Sequence, residues 1–326
     1  MSRMRVALVG LGAMGRNHMR VLESMPDVDL VSVFDANMEQ TIGNGIQVKS
    51  LSEIIDLKPD YCVVATPTNT HEEIVSQLSK NRINLLIEKP ISYSFESALR
   101  MRNEIIENQV IATVGHVERF NSALIEAKRR IQLGQIGRIF QITTRRLSPL
   151  PPRVNDVGVI LDLASPDIDL TKWLVDSSYY RVSGFLNKRS DKFHEDVLIA
   201  SALLKDGIIV SHIVNWLSPF KERVTVITGE KGTFVINTLN SELIFYSFGE
   251  FDVLQPHMAH FKGGKESEVI NYAFEKPEPL LVEHREFMKA IRGEISLTVT
   301  IQDSLETIRV AEALFLSDKT GNTVVL

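Results

Sequence analysis

Gly10-Leu11-Gly12-Ala13-Met14-Gly15 follows the apolar run Arg5–Val9 directly and precedes an amphipathic stretch. In that setting Gly10 permits a tight turn, Gly12 lets backbone close on a pyrophosphate, and Gly15 lets helix and strand pack closely. The helix that starts there offers its N–H groups and the positive end of its dipole to phosphates. Asp35 closes a second apolar run, Leu30–Phe34, twenty residues after Gly15. A carboxylate at that point accepts hydrogen bonds from the adenosine ribose and repels a 2′-phosphate. Ala36, Asn37 and Met38 supply no cation to offset that repulsion. The unit therefore predicts binding of NAD(H) in preference to NADP(H); a plain turn aspartate is the alternative for Asp35.

Two later strand ends belong to the same expected crevice, because open parallel sheets bind ligands at the carboxyl ends of their strands. They are Ala65-Thr66-Pro67-Thr68-Asn69-Thr70-His71 and Ile87-Glu88-Lys89-Pro90. Thr66, Pro67, Thr68, Asn69, His71, Glu88 and Lys89 thus join the glycine turn and Asp35 as expected cofactor-binding residues. His71 also suits a role in ordering the first turn of a helix. Lys89 is the candidate for chemistry, since an ammonium group at a strand end is placed for proton transfer. A solvated lysine is the alternative.

The elements that must hold these residues are legible in the periodicity. Arg5–Val9, Leu30–Phe34, Tyr61–Ala65, Asn84–Ile87 and Val110–Val114 read as buried strands separated by helical patterns. Ser50-Leu51-Ser52-Glu53 and Thr70-His71-Glu72-Glu73 both read as capping boxes. Strand–helix alternation predicts a doubly wound parallel sheet, a Rossmann domain, over residues 1–120. Beyond it the rhythm changes. A basic helix over Asn121–Leu133 leads to a strand, Arg138–Arg146, a Pro-rich loop and a helical stretch around Trp173. Strands follow at Asp196–Leu204, Ile208–Trp216, Val224–Thr228 and Thr233–Asn237, joined in part by the hairpin turns Lys205-Asp206-Gly207 and Gly229-Glu230-Lys231-Gly232. Two helices, Val282–Arg292 and Asp303–Leu316, come last. Consecutive strands joined by tight turns must be antiparallel, so residues 121–326 are expected to form a second α/β domain.

The 326 residues suit two domains, with 44% hydrophobic and 24% charged residues as in an ordinary globular protein. A net charge of -5 gives no electrostatic reason to expect nucleic acid or an anionic membrane as partner. Cys62, the sole cysteine, excludes an intrachain disulfide, and its apolar setting reads as core. No apolar stretch approaches a bilayer span, and the basic N-terminus runs into a strand instead of a signal sequence, so the cytoplasm is the expected location. His257 and His260 lack ligand spacing to a carboxylate, so no metal is expected.

Taken together these residues resemble the Gfo/Idh/MocA family of sugar oxidoreductases. The resemblance rests on the glycine turn, Thr66-Pro67-Thr68-Asn69-Thr70-His71, Glu88-Lys89-Pro90 and Gly115-His116-Val117-Glu118-Arg119-Phe120. Asp162-Leu163, Asp167-Ile168-Asp169-Leu170, His194-Glu195-Asp196 and Glu283 with Phe287 and Ile291-Arg292-Gly293 extend it over nearly the whole chain. It implies reversible hydride transfer between NAD(P) and a hydroxyl-bearing carbon of a sugar, inositol or nucleotide sugar. It also implies a second domain, residues 121–326, with a large, mostly antiparallel sheet for substrate binding and oligomerisation, Lys89 and Asp162 as catalytic residues, a cis peptide before Pro90, and a homodimer or homotetramer. One position departs from the family pattern. Asp-x-x-x-His is usual, and here Pro166 stands where the histidine acid/base is expected, with Ser165-Pro166-Asp167 reading as a helix start, Ser165 its N-cap and Pro166 its first position. Either Lys89 and Asp162 manage the proton, or His116 or His194 reaches in, or the protein is a non-catalytic NAD-binding sensor of the same fold. Nothing points to NAD-retaining glycoside hydrolysis. On the substrate side His116, Arg119, Arg153 and His194 are the candidates. Arg145 and Arg146 are neighbours on a strand and cannot both reach one ligand, but with Arg119 and Arg153 they suit a diphosphate, or else a solvated basic rim or oligomer contacts. Trp173 and Trp216 read as core or interface residues.

Overall fold

The structure, a computed structural model, describes residues 3–36, 47–150, 157–190, 193–248 and 266–326. Two compact units divide the chain: Met1–Phe120 with Pro277–Glu312, and Asn121–Lys276 with Ala313–Leu326.

In the first unit β1 (Met4–Val9), β2 (Val28–Phe34), β3 (Tyr61–Val64), β4 (Asn84–Ile87) and β5 (Ala112–Val114) form a wholly parallel sheet in the order β2-β1-β3-β4-β5. A single parallel bridge, Val33 to Gln47, stands outside β2 where a further strand would lie. Counting it gives the dinucleotide-binding order, with its reversal between β1 and β3. Helices α1 (Ala13–Ser24), α2 (Leu51–Leu57), α3 (His71–Lys80) and α4 (Phe95–Glu107) connect the strands. Ser50 caps α2 as its sequence pattern predicts, accepting the Glu53 N–H. Thr70 does not cap α3. A 3-10 turn, Thr68–Thr70, precedes that helix, and the Thr70 hydroxyl donates back to Pro67 O at 2.8 Å and lies 2.8 Å from Thr66 Oγ1. Hydroxyls compete for nearby backbone in this way wherever the chain turns before a helix.

The late helix Pro279–Ile291, numbered α7 below, also belongs to the first unit. Its Leu280, Phe287 and Met288 share a core with Val6, Leu8, Val21, Leu22, Tyr61 and Leu86 from β1, α1, β3 and β4. A purely sequential boundary would have left that side of the parallel sheet uncovered, and burial of a mostly apolar face is worth about 25 cal/mol per Å². Cys62 is buried in β3, and burial pushes its thiol pKa up.

The second unit carries α5 (Ser122–Gln132), α6 (Ser165–Val175) and nine strands: β6 (Ile139–Pro149), β7 (Tyr179–Asn187), β8 (Val197–Leu204), β9 (Ile209–Asn215), β10 (Leu217–Gly229), β11 (Gly232–Asn237), β12 (Glu242–Phe248), β13 (Glu266–Asn271) and β14 (Val324–Val325). They pair in the order β13-β12-β11-β10-β6-β9-β8-β7-β14, antiparallel except for β6 with β9. Ile142, Thr144 and Arg146 of β6 turn inward while Gln141 and Arg145 turn out. The outward row Phe185, Ile199, Ile213 is in register across β7, β8 and β9. Phe185 is 77% exposed and Ile199 53%. Helix α7 is followed by α8 (Ile301–Thr320), whose residues from Ala313 onward belong to the second unit. Among the described residues no helix is long and apolar enough to cross a membrane.

Candidate functional site

The carboxyl ends of the parallel strands gather the motifs of the first unit. Gly10 adopts φ 95°, and a Cβ there would sit 2.4 Å from Ala65 O, so only glycine makes this turn. A Cβ on Gly15 would lie 1.9 Å from Gly10 O, which fixes how closely α1 packs on β1. Over Gly12, the N-cap of α1, a Cβ would meet nothing within 4 Å. No side chain caps that helix end and no acidic residue occupies its first turn. Open backbone at an uncapped helix N-terminus fits a pyrophosphate, and Gly10, Leu11, Gly12, Ala13, Met14 and Gly15 are the residues that would hold it. Asp35, just beyond β2, is tied into the turn, for its Oδ2 accepts the Leu11 N–H at 2.5 Å. Arg16, which the sequence reading passed over, donates from its guanidinium to Leu11 O at 2.8 Å. Its signal was a basic residue one position after the last motif glycine.

Past β3, Thr66, Pro67, Thr68 and Asn69 form the bend described above, and His71 is buried behind it. His71 Nε2 lies 3.0 Å from Thr66 O and Nδ1 lies 3.1 Å from Ile91 O. Burial lowers its pKa against the pull of those carbonyls. His71 therefore joins the β3 bend to the loop after β4, the ordering role that its position in the sequence also allowed.

Past β4, the Lys89–Pro90 peptide is cis. Glu88 is only 5% exposed. Its Oε1 meets His18 Nε2 at 2.8 Å, and its Oε2 accepts the Lys89 N–H at 3.1 Å. A Cβ at position 115 would come within 2.9 Å of Glu88 Oε1, so Gly115 makes room for the carboxylate. Burial pushes the Glu88 pKa up, but His18 and Lys89 outweigh it and hold the carboxyl below its usual range. His18, His284 and Tyr61, which the sequence reading missed, stand behind Glu88 in the core. The available signal was a histidine on the apolar face of α1, in line with Gly15, Val21 and Leu22.

Of the substrate-side candidates in this unit, His116 is buried with Nε2 2.9 Å from Ser304 Oγ. Arg119 is 2% exposed and donates to Thr298 O at 2.9 Å and to Asp303 at 3.4 Å. Both tie the segment after β5 to the chain around residues 298–304.

In the second unit Asp162 lies on a π-turn, Ile160–Ala164, that runs straight into α6. Ser165 is therefore not an N-cap, contrary to the sequence reading. Its hydroxyl donates to Leu161 O at 2.6 Å, and Pro166 sits where the wider turn passes into α-helix. A π-turn tolerates the missing proline N–H because the hydrogen-bond ladder is already changing step there. Glu195 anchors the front of the turn, since its Oε1 accepts the Ile160 N–H at 3.1 Å and its carbonyl accepts the Val159 N–H at 3.0 Å. Burial raises the Glu195 pKa. Asp196 accepts the N–H groups of Arg189 and Ser190, and His194, two residues before it, is half-buried. Arg145 and Arg146 do not converge on one anion: Arg145 pairs with Glu222 at 2.6 Å, while Arg146 is buried on Asp167 at 2.8 Å. Trp216 is core. Arg153, His257 and His260 lie outside the described residues. Among the described residues no group of three or more His, Cys, Asp and Glu side chains is placed to hold a metal ion.

Comparison with known proteins agrees with this geometry. The model of the oxidoreductase family with the NAD-binding Rossmann fold matches residues 4–116, and that of its C-terminal alpha/beta domain matches residues 128–326. The scyllo-inositol 2-dehydrogenase (NAD(+)) of Bacillus subtilis is 24% identical over 99% of this chain and 96% of its own length. The myo-inositol 2-dehydrogenase of Thermotoga maritima is 29% identical over 53% of this chain and 55% of its own. UDP-N-acetylglucosamine 3-dehydrogenase from Acidithiobacillus ferrooxidans superposes with a TM-score of 0.86 at 22% identity, covering 98% of this chain and 99% of that one. The WlbA dehydrogenase from Bordetella pertussis, solved with NADH and UDP-GlcNAcA, superposes with a TM-score of 0.82 at 22% identity over 99% of both chains. These two likenesses show the shared fold. With both halves matched in order, the chain belongs to the Gfo/Idh/MocA oxidoreductase family, and its first unit is an NAD-binding Rossmann domain.

Proposed function

We propose that this protein oxidises a hydroxyl-bearing carbon of a sugar, inositol or nucleotide sugar, and runs the same step in reverse on the ketone. Bound NAD supplies the hydride acceptor. The observation that carries the reading is the Glu88-Lys89-Pro90 corner, set at the carboxyl edge of the same sheet as the uncapped glycine turn. Gly10 to Gly15 and Asp35 hold the dinucleotide, with Thr66, Pro67, Thr68, Asn69 and Glu88 shaping the neighbouring strand ends. The Lys89 side chain orients the reacting hydroxyl and takes its proton as the C–H bond gives up hydride. Asp162 holds the hydroxyl and His194 the substrate, on the strength of the family resemblance. His116 and Arg119 work from the interior, by fixing the segment after β5.

Proline at position 166 has no proton to give, so Lys89 carries the acid–base step without the usual imidazole. General acid–base assistance is typically worth about 10²–10⁴-fold in rate. Lys89→Ala is expected to abolish turnover while NAD binding stays within a few-fold of wild type. Wild-type turnover in that variant removes Lys89 from the mechanism.

The protein also assembles as a homodimer or homotetramer through the outward face of its large sheet. Support comes from exposed Phe185 and Ile199, in one outward row with half-buried Ile213, since contiguous apolar patches on a protein surface mark interaction sites. Phe185→Asp with Ile199→Lys should give monomers by light scattering. An unchanged mass would assign the contact elsewhere.

A further inference from the structure

Four buried side chains of the first unit, on β3, α7 and α1 and just past β4, stand in a row behind Lys89. Tyr61 Oη of β3 lies 2.9 Å from His284 Nδ1 of α7. His284 Nε2 lies 2.9 Å from His18 Nδ1 of α1, and His18 Nε2 lies 2.8 Å from Glu88 Oε1. Counting protons settles the direction of the row. An ionised Glu88 can only accept, so His18 Nε2 carries a hydrogen. A neutral His18 then accepts at Nδ1, His284 donates from Nε2, and the Tyr61 hydroxyl donates to His284 Nδ1. A protonated Glu88 or a protonated His18 would turn His284 round so that its Nδ1–H points at Tyr61 Oη, and either leaves the Tyr61 hydroxyl hydrogen buried with no acceptor among the described residues, which costs about 1–3 kcal/mol. Burial also holds the phenol protonated and His284 neutral. All three donors therefore aim at one carboxylate, whose other oxygen holds the Lys89 backbone.

We propose that Tyr61, His284 and His18 form a one-way hydrogen-bond relay that keeps Glu88 ionised and the Lys89 corner in place. They are thus positioning residues for the lysine, a conclusion that rests on the role given to Lys89 above. The other ionisable groups facing Glu88 fit this picture. Glu283 of α7 is buried with both carboxyl oxygens unpartnered, and burial together with the Glu88 charge keeps it protonated. His71 of α3 is held toward its neutral form by burial. Apart from the Lys89 ammonium beside it, Glu88 therefore relies on the relay and the Lys89 N–H for its stabilisation.

The test uses full-length protein labelled with ¹⁵N-histidine, with Tyr61→Phe and Phe287→Leu as variants. Phe287 packs edge-on against the Tyr61 ring at 5.2 Å and stands outside the relay. The relay predicts that His18 and His284 both appear as neutral Nε2–H tautomers at pH 7. It also predicts that Tyr61→Phe perturbs the His284 nitrogens and moves the acid limb of the His18 ¹⁵N titration, which follows the charge on Glu88, upward by roughly half a pH unit, because a less supported Glu88 protonates sooner. Phe287→Leu should lower the melting temperature and leave that limb in place. An Nδ1–H tautomer or an imidazolium at either ring, or an unmoved limb in Tyr61→Phe, overturns the relay. Should wild type turn over no polyol at all, the role of Lys89 falls, and the ring-nitrogen spectrum still decides the relay.

Discussion

Each unit buries a tyrosine hydroxyl 2.9 Å from a histidine nitrogen, and the two pairs lead to different places. Tyr61 and His284 continue through His18 to a carboxylate that holds the Lys89 backbone. Tyr179 meets His212 Nε2, and His212 Nδ1 stops at Thr144 Oγ1, 2.7 Å away. The second cluster, with Arg146 on Asp167 close by in the chain of β6 and α6, ties helix to sheet and presents nothing at a strand end. The same chemical pair thus acquires a functional meaning only from its terminus. A histidine ending on a hydroxyl is architecture, and one ending on the carboxylate that holds the Lys89 backbone bears on the lysine proposed to react.

Breaking the second cluster should cost stability and spare the chemistry. Arg146→Met leaves Asp167 buried without its partner, and loss of one member of a buried ion pair typically costs about 3–5 kcal/mol. Thermal unfolding should show the loss, and pairing it with Asp167→Leu should recover most of it. No recovery would mean that Arg146 acts through packing alone. Next in size is an acid effect. Burial lowers the His212 pKa from its ordinary 6.5 to about 4, so the fold favours the neutral ring. Its stabilisation is full above pH 6.5 and is lost as pH falls from 6.5 toward 4, by about 3 kcal/mol in all. His212→Gln should flatten that slope in denaturant melts between pH 7 and 4, whereas an unchanged slope would place the acid sensitivity elsewhere.

Glu283 sharpens the contrast with the opposite sign. Its raised pKa means that stability is lost as pH climbs above the ordinary carboxylate range. Glu283→Gln should therefore gain on wild type progressively from pH 5 to pH 8, and a constant difference would show that its charge is not the cause. The smallest effect separates the two tyrosines directly. Tyr179→Phe should cost about 1 kcal/mol and leave the acid limb of the His18 ¹⁵N titration untouched, where Tyr61→Phe moves it. Equal pH profiles for the two variants would erase the distinction.

Local rules carried the reading of the sequence as far as local physics reaches. The glycine turn, Asp35 at the end of β2, the Ser50 cap and the Glu88-Lys89-Pro90 corner depend on neighbours in sequence, and they stand out there. Strand β7 escaped notice because Gly184 interrupts its alternation. A Cβ at that position would press on the Leu314 side chain at 3.0 Å, so the glycine answers a helix far away in the chain. Ser165 and Thr70 looked like caps, and each spends its hydroxyl on a backbone carbonyl within the preceding turn. His18, Tyr61 and His284 were illegible for a plainer reason. A buried histidine in sequence looks like any other, and only the fold brings residues 18, 61, 88 and 284 into one line. The return of residues 277–312 to the first unit has the same origin, since nothing in a helix of ordinary amphipathicity names the sheet it will cover.

Single-turnover absorbance at the nicotinamide band, with NAD-loaded wild type and Lys89→Ala mixed against a panel of inositols, sugars and UDP-sugars, bears most directly on the assigned function. Reduction by wild type with at least one compound, and none by a Lys89→Ala protein that still binds NAD, is the expected result. Wild type that binds NAD and reduces it with no compound, or a Lys89→Ala variant as fast as wild type, would contradict it.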